Sequence, residues 1–363
     1  KRAAGIPGAE PRRVQKVGIV GAGLMARQLA LLVLRRLEVP VALRDLTDDQ
    51  IDDARSWIAD ELGEVVRRGR LAEGKARFLA SLVTGGTEWE VLAGCDLALE
   101  AVFEEMPVKK DVFAELERIV SPECVLATNT SSLSVTEMGA DLDHPERVVG
   151  MHFFNPVAVL PLVELVRTAR TDDATLATAW AVTKGLRKTG VLVRDAPAFV
   201  VNRILARQGS VVTDALDHGN SVEETDEAVL RLGMPMAPSV LLQLVGPKVA
   251  NHVRHTLHDA WPDRFPLSAT LESLAAGGDP VVVEHAPRTV DEIHEAVLEA
   301  MADEIGHILD EGVVPEAADV DTCLLLGAGF PFWLGGITKH LDQTGVSQRV
   351  VGRPLAGLVA TPA

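Results

Sequence analysis

The sequence contains few cysteines. Cys95, Cys124 and Cys323 are the only ones in 363 residues, and their spacing matches no metal-ligand motif. Three thiols cannot all pair as disulfides, so we expect reduced thiols in a cytoplasmic protein. The chain therefore does not have the composition of a small disulfide-stabilised domain.

Basic residues and long apolar runs are also scarce. There are 35 Lys and Arg against 52 Asp and Glu, a formal net charge of -17. This excess of acid argues against nucleic acid and anionic membrane surfaces as partners. The most apolar late stretch, Cys323–Ile337, contains four glycines and is shorter than the roughly 20 residues of a membrane span. We expect no membrane span.

A glycine-rich turn follows the first predicted strand, residues 14–20. The turn contains Gly21 and Gly23, and an amphipathic helix follows it. In a dinucleotide-binding turn, the first glycine allows the tight bend and the second lets the backbone approach the pyrophosphate. The third position takes Gly or Ala for close helix packing, and Ala26 occupies it. The pattern predicts a Rossmann-like nucleotide-binding domain.

An acidic residue, Asp45, ends the second predicted strand, 39–43, and lies about 20 residues beyond the turn. A carboxylate at this position binds the ribose hydroxyls and repels a 2′-phosphate. The sequence therefore predicts NAD rather than NADP as the cofactor. The neighbouring Arg44 weakens that preference.

The segment Val148–Arg167 places charged and polar groups in an apolar setting. It contains His152, Asn155 and Glu164, the last within the predicted buried strand PLVELV. A buried carboxylate requires a partner, and a histidine held by a carboxylate is a common general base in dehydrogenation. A purely structural ion pair is the alternative interpretation.

A polar cluster, Asn129-Thr130-Ser131-Ser132, follows the predicted strand Val125–Thr128. Open α/β sheets bind ligands at the carboxyl ends of their strands, so the cluster is a candidate ligand site. The alternative is that its serines only cap the next helix.

The predicted fold is an α/β Rossmann-like domain followed by an all-α part that is internally duplicated. Residues 1–13 resemble a linker, and 14–195 form the NAD-binding domain. The helical blocks 196–290 and 291–363 share a layout: a long helix, a turn, an acidic segment, then a glycine with an apolar-proline motif. Such a helical part commonly covers the substrate or forms a dimer contact.

Several motifs together resemble the 3-hydroxyacyl-CoA dehydrogenases of fatty-acid β-oxidation. They are GAGLMA, ALEAVFEEMPVKK, ATNTSSL, RVVGMHFFNPV with LVELV, and APAFVVNRIL. The resemblance implies NAD as cofactor and an acyl-CoA substrate. Two helical copies resemble the dehydrogenase half of a bacterial multifunctional fatty-acid oxidation protein. This leaves room for enoyl-CoA hydratase and thiolase partners and for a homodimer.

The resemblance also assigns roles to individual residues. It makes His152 the catalytic base and Glu164 the group that orients it, with Ser131 and Asn202 on the substrate oxygen. Further positions match family residues at the cofactor or near the active site: Glu104, Lys109, Asn129 and Asn155. The chain departs from the family pattern at Ala237, Ser239 and Gln243.

Two other functions compete with this one. A related sugar-acid or β-hydroxyacid dehydrogenase would use a lysine base and lack HFFNPV. A module that binds the cofactor without turnover would serve only in assembly. The histidines of HVRHTLH, residues 252–258, lack a carboxylate at a matching position, so we predict no metal.

Overall fold

The computed structural model describes residues 8–358. Its contacts divide the chain into two compact units, with the boundary in the sequence between Asp195 and Ala196. The first unit is α/β and the second contains helices, so the predicted Rossmann-like domain followed by a helical part is confirmed, while the internal duplication stays a prediction. The predicted linker falls partly outside the described residues. Its described end contacts the first unit, since the Arg12 amide donates to Thr178 Oγ1 at 2.8 Å.

The first unit is built on one eight-stranded sheet with the order β3-β2-β1-β4-β5-β6-β7-β8. All neighbouring strands are parallel except β6 and β7, which are antiparallel. The strands are β1 Val17–Val20, β2 Val41–Arg44, β3 Val83–Gly86, β4 Leu97–Glu100, β5 Val125–Thr128, β6 Val148–Phe153, β7 Leu162–Arg167 and β8 Thr189–Arg194.

Helices cover the sheet, which explains its continuous apolar strands. All residues of β1, β4 and β5 are buried, as expected for parallel strands covered on both faces. The helices of this unit are α1 Leu24–Leu37, α2 Asp48–Arg67, α3 Glu73–Ser81, α4 Met106–Ile119, α5 Val135–Met138 and α6 Asp173–Gly185. The turn that opens α1 lies at the carboxyl end of β1, in the middle of the sheet.

The ends of some elements differ from the prediction for local reasons. The first strand begins at Val17 rather than Val14, because the amides of Gln15 and Lys16 donate to Asp96 Oδ2. Helix α4 begins at Met106. A proline in its first turn is compatible with a helix start, where its missing N–H has no intrahelical partner.

The second unit contains nine α-helices within the described residues. They are α7 Val201–Asp217, α8 Val222–Leu230, α9 Pro238–Val245, α10 Pro247–Ala260, α11 Ala269–Ala275, α12 Val290–Asp310, α13 Ala317–Gly327, α14 Ile337–Gln343 and α15 Val346–Val350. Helix α12, from the second predicted block, packs along α7, from the first. A boundary at 290/291 stays a prediction.

A buried charge cluster joins the start of α7 to α12. Arg203 is fully buried, and its Nε donates to Glu304 Oε1 at 2.5 Å. Its terminal nitrogens donate to Glu311 at 2.7 and 2.8 Å. The centroid of the Trp261 ring lies 4.1 Å from the Arg203 guanidinium and 4.2 Å from the Arg264 guanidinium. The cluster satisfies a buried guanidinium with two carboxylates and an aromatic face.

Candidate active site

His152 and Glu164 form a buried pair across two adjacent strands. They are directly paired in the antiparallel register of β6 and β7, which brings their side chains to the same face. His152 Nδ1 lies 2.7 Å from Glu164 Oε2. The two residues are 4% and 0% exposed, and the Phe154 ring packs 4.4 Å from the imidazole. A carboxylate in this position fixes the orientation and tautomer of the ring.

The glycine turn has the geometry that a dinucleotide requires. Gly21 has φ +108°, and a Cβ there would lie 2.6 Å from the Ala101 carbonyl oxygen. A Cβ on Gly23 would meet no described atom within 4 Å, so the start of α1 is open to a phosphate group. Ala26 is fully buried against the core. These residues fit the pyrophosphate of NAD at a helix N-terminus.

Asp45 is held rigidly beside this turn. Its Oδ2 accepts the Ala22 amide at 2.6 Å and its Oδ1 the Leu46 amide at 2.7 Å. The neighbouring Arg44 guanidinium stacks on the Trp89 ring at 4.0 Å, and its Nε donates to the Thr87 carbonyl. The carboxylate is thus anchored by two backbone amides, while the adjacent arginine is engaged by the ring.

Glu104 organises the serine cluster after β5. Its Oε1 accepts hydrogen bonds from the Ser131 amide at 2.7 Å and Oγ at 3.0 Å, and from Thr130 Oγ1 at 2.6 Å. Burial opposes ionisation of Glu104, but Lys109 together with Thr130 and Ser131 holds the pKa of this carboxyl below its ordinary value. Ser131 is therefore oriented by an ionised carboxylate.

Lys109 is buried between two carboxylates. Its Nζ donates to both oxygens of Glu100 at 2.7 and 2.8 Å and lies 3.2 Å from Glu104. The Thr128 hydroxyl also donates to Glu100, at 2.6 Å. Because Lys109 is 1% exposed, it contacts Glu104 from the protein interior and stabilises its position. Direct contact of Lys109 with a cofactor stays a prediction.

The two predicted asparagines of the first unit both contact the end of β6 or the loop after it. Asn129 Oδ1 accepts the Phe153 amide at 2.9 Å. Asn155 precedes Pro156 in a cis peptide bond, and its Oδ1 accepts a hydrogen bond from Gln28 Nε2 at 3.1 Å. Asn202, the fourth predicted catalytic residue, is the second residue of α7 in the helical unit. Its role stays a prediction.

Sequence reasoning missed three groups that support this site: Gln28, Glu100 and Lys188. Glu100 carried a signal, because an acid at the end of an apolar strand needs a partner. Gln28 carried none, since a glutamine on an amphipathic helix usually faces solvent. Lys188 is 8% exposed, and its Nζ donates to the carbonyls of Val157 and Leu160.

Neither a cluster of metal ligands nor a helix suited to cross a membrane occurs within residues 8–358. No group of three or more His, Cys, Asp or Glu side chains in this range is placed to hold a metal ion. No helix in the range combines the length and the apolar composition needed to cross a membrane. The three cysteines are buried and form no disulfide within residues 8–358, and burial raises the pKa of Cys95 to about 11.

Two family models match the chain. Residues 16–196 match the NAD binding domain of 3-hydroxyacyl-CoA dehydrogenase. Residues 199–280 match the C-terminal domain of the same family. The two matches follow each other closely and correspond to the sheet unit and to the first part of the helical unit.

Curated relatives and solved structures agree with these matches. The fatty acid oxidation complex subunit alpha of Shewanella amazonensis is 30% identical over 96% of this chain, which spans about half of that protein, 54%. The (S)-3-hydroxybutyryl-CoA dehydrogenase of Ralstonia eutropha is 31% identical, with a TM-score of 0.69, over 76% of this chain and all of the other.

A further solved structure supports the fold. The 3-hydroxybutyryl-CoA dehydrogenase of Escherichia coli has a TM-score of 0.79 at 24% identity, over 94% of this chain and 97% of the other. The matched domains, in this order and with these relatives, identify the family. The chain belongs to the 3-hydroxyacyl-CoA dehydrogenase family, with its NAD-binding domain in the first unit.

Proposed function

We propose that the chain oxidises (S)-3-hydroxyacyl-CoA to 3-ketoacyl-CoA with NAD, using His152 as the general base. The observation that carries this proposal is the buried cross-strand pair of His152 and Glu164, at 2.7 Å. A solvent-exposed ion pair would contribute little, whereas a buried pair at the ligand-binding end of the sheet has the arrangement of a catalytic base with its orienting group.

The proposed proton transfer uses the Nε2 atom of His152. In this mechanism Glu164 accepts the Nδ1–H of His152, which leaves the lone pair on Nε2. In the proposed reaction Nε2 takes the proton of the C3 hydroxyl, the C3–O bond becomes a carbonyl, and the C3 hydride leaves. Bound NAD supplies the hydride acceptor. The imidazolium that forms is stabilised by the adjacent carboxylate.

The remaining proposed roles concern substrate and cofactor binding. Ser131 and Asn202 would donate hydrogen bonds to the substrate oxygen as negative charge develops there. Asn155 would contact the substrate near the base. The cofactor would lie on Gly21, Gly23 and Ala26, with its ribose at Asp45 and its surroundings formed by Glu104, Lys109 and Asn129.

The test is NADH oxidation by the purified chain with acetoacetyl-CoA and with a long-chain 3-ketoacyl-CoA. We expect turnover with NADH, much less with NADPH, and a loss of at least 10²-fold in kcat for His152→Gln. His144→Gln is the matched control, because His144 pairs with Glu146 on the surface at 3.1 Å. Equal losses in both variants, or none in His152→Gln, would refute the assignment.

The name of the Shewanella relative motivates a second proposal, about assembly. Because the chain spans about half of the fatty acid oxidation complex subunit alpha, we propose that an enoyl-CoA hydratase and a thiolase act with it, and that the helical part forms a homodimer contact. A weak dehydrogenase serving mainly in such an assembly is the alternative. NADH binding without turnover would favour that alternative.

A further inference from the structure

The loop between the strands of His152 and Glu164 is clamped by a glutamine from another element. Gln28 Nε2 donates to Asn155 Oδ1 at 3.1 Å, and Gln28 Oε1 accepts the Val157 amide at 2.8 Å. One carboxamide thus engages both a side chain and the backbone of the same loop. Such a two-point contact fixes the position of the loop and also the orientation of the Asn155 amide.

Gln28 lies on the helix that begins at the nucleotide turn. It is four residues after Leu24, the first residue of α1, which places it about 6 Å along the helix axis. Because a helix is a rigid element over this distance, any displacement of the turn is transmitted to the loop through Gln28. The clamp therefore links the predicted pyrophosphate position to the end of the strand that carries His152.

The other side of the loop is fixed to the sheet. The Lys188 ammonium donates to the carbonyls of Val157 and Leu160, and the Thr189 amide donates to the Pro161 carbonyl at 2.8 Å. Val157 is 1% exposed. These contacts hold the backbone of the loop independently of Gln28. Removal of the Gln28 carboxamide is thus expected to release Asn155 and the first part of the loop without unfolding the rest.

We propose that Gln28 is a positioning residue of the dehydrogenase: it fixes the positions of α1 and of the Asn155 amide relative to β6, the strand of His152. This inference rests on the proposed function. With Oδ1 of Asn155 occupied by Gln28, the amide presents its Nδ2 donor away from α1. Gln28 itself acts through Asn155 and Val157.

The test is a double-mutant cycle with Gln28→Met, Asn155→Ala and the double variant. Methionine keeps the length of the side chain but neither donates nor accepts as the amide does. Gln348→Met is the matched control, because Gln348 makes one exposed hydrogen bond, to the Gly352 carbonyl at 3.0 Å. For each variant we would measure kcat, KM for NADH, the Kd for NADH by fluorescence, and Tm.

We expect Gln28→Met to lower kcat/KM for NADH about tenfold and to raise the NADH Kd about threefold, the range of one or two lost hydrogen bonds. The double variant should lose less than the product of the two single losses, because both changes break the contact between Gln28 and Asn155 while only Gln28→Met also breaks the contact with the Val157 amide. The control should match the wild type. Losses that multiply in the double variant would overturn the inference, as would a lower Tm with unchanged kinetics.

The failure of the proposed function gives a different result. In that case the wild type itself would not reduce 3-ketoacyl-CoA, while its NADH Kd would still be measurable. The inference would then be decided by binding alone. An NADH Kd of Gln28→Met equal to that of the wild type would overturn it, and a weaker Kd that is not weakened further in the double variant would support it.

Discussion

Glu164→Gln tests the buried pair with the least change in shape. Glutamine has the size of glutamate but is neutral, and its Nε2 can donate to His152 Nδ1. That arrangement moves the imidazole proton to Nε2, where it blocks acceptance of the substrate proton. Since the pair lies on two directly paired strands at 2.7 Å, the histidine has little freedom to reorient. We expect a variant that still binds acetoacetyl-CoA and NADH but has a much lower kcat.

The expected magnitude follows from two contributions. Loss of a charge-assisted hydrogen bond costs about 1.5–3 kcal/mol, which corresponds to about 10- to 150-fold in rate. The unfavourable tautomer adds to this, so we expect kcat to fall about 10²- to 10⁴-fold. The free energy of unfolding should change by only about 1 kcal/mol, because neutralising a fully buried carboxylate also removes the cost of its desolvation.

The assay measures kcat and KM with acetoacetyl-CoA and NADH, together with thermal unfolding. The control is Glu146→Gln, since Glu146 holds the surface histidine His144 at 3.1 Å and should be silent in both assays. If Glu164→Gln retained more than a third of the wild-type kcat with an unchanged Tm, the carboxylate would not orient the base. A large fall in Tm would instead make the pair structural.

Three further predictions concern charge and cofactor choice. Lys109→Met should lower the free energy of unfolding by about 3–5 kcal/mol in a denaturant titration, because it leaves Glu100 buried without its ammonium partner. Lys110→Met is the control at the partly exposed neighbour, and it should lower the free energy of unfolding by less than about 1 kcal/mol. Burial raises the pKa of Asp319 to about 6, so the folded state loses stability as pH rises from about 4 through 6. The variant Asp319→Asn should therefore be more stable than the wild type at pH 7.5, by up to about 2 kcal/mol after allowance for solvent screening. Near pH 3.5 the two proteins should have equal stability. Asp45→Asn should raise the ratio of kcat/KM for NADPH to that for NADH about tenfold, because the amide still accepts a backbone hydrogen bond but no longer repels a 2′-phosphate; an unchanged ratio would contradict the role of the carboxylate.

The parts of the fold that depend on local chemistry were predictable. The turn at Gly21 requires a positive φ, and the strand, glycine, helix and acid follow one another within about 30 residues. The strand Val125–Thr128 was predicted with its observed ends. The partnership of His152 and Glu164 was also accessible, because a carboxylate in a buried strand must find a partner.

The parts that depend on distant contacts were not predictable. Gln28 and Val157 are far apart in sequence, and nothing in an amphipathic helix marks one glutamine as a clamp. Lys109 matched a family position near the cofactor, but its burial between Glu100 and Glu104 depends on how β4, α4 and the loop between them pack. The antiparallel pairing of β6 with β7 likewise emerges from the tertiary fold rather than from the strand pattern.

The buried Arg203 cluster has a consequence for modularity. Removal of the residues after 290 would delete Glu304 and Glu311, the two carboxylates that pair with Arg203, together with nearly all of α12, which packs along α7. Breaking a buried ion pair costs about 3–5 kcal/mol, a large share of the roughly 5–15 kcal/mol that stabilises a typical domain. The duplication predicted from the sequence therefore does not imply two autonomous folding modules. The helical unit is expected to melt as a single cooperative body, in which the second block supplies the carboxylates that neutralise a buried charge of the first.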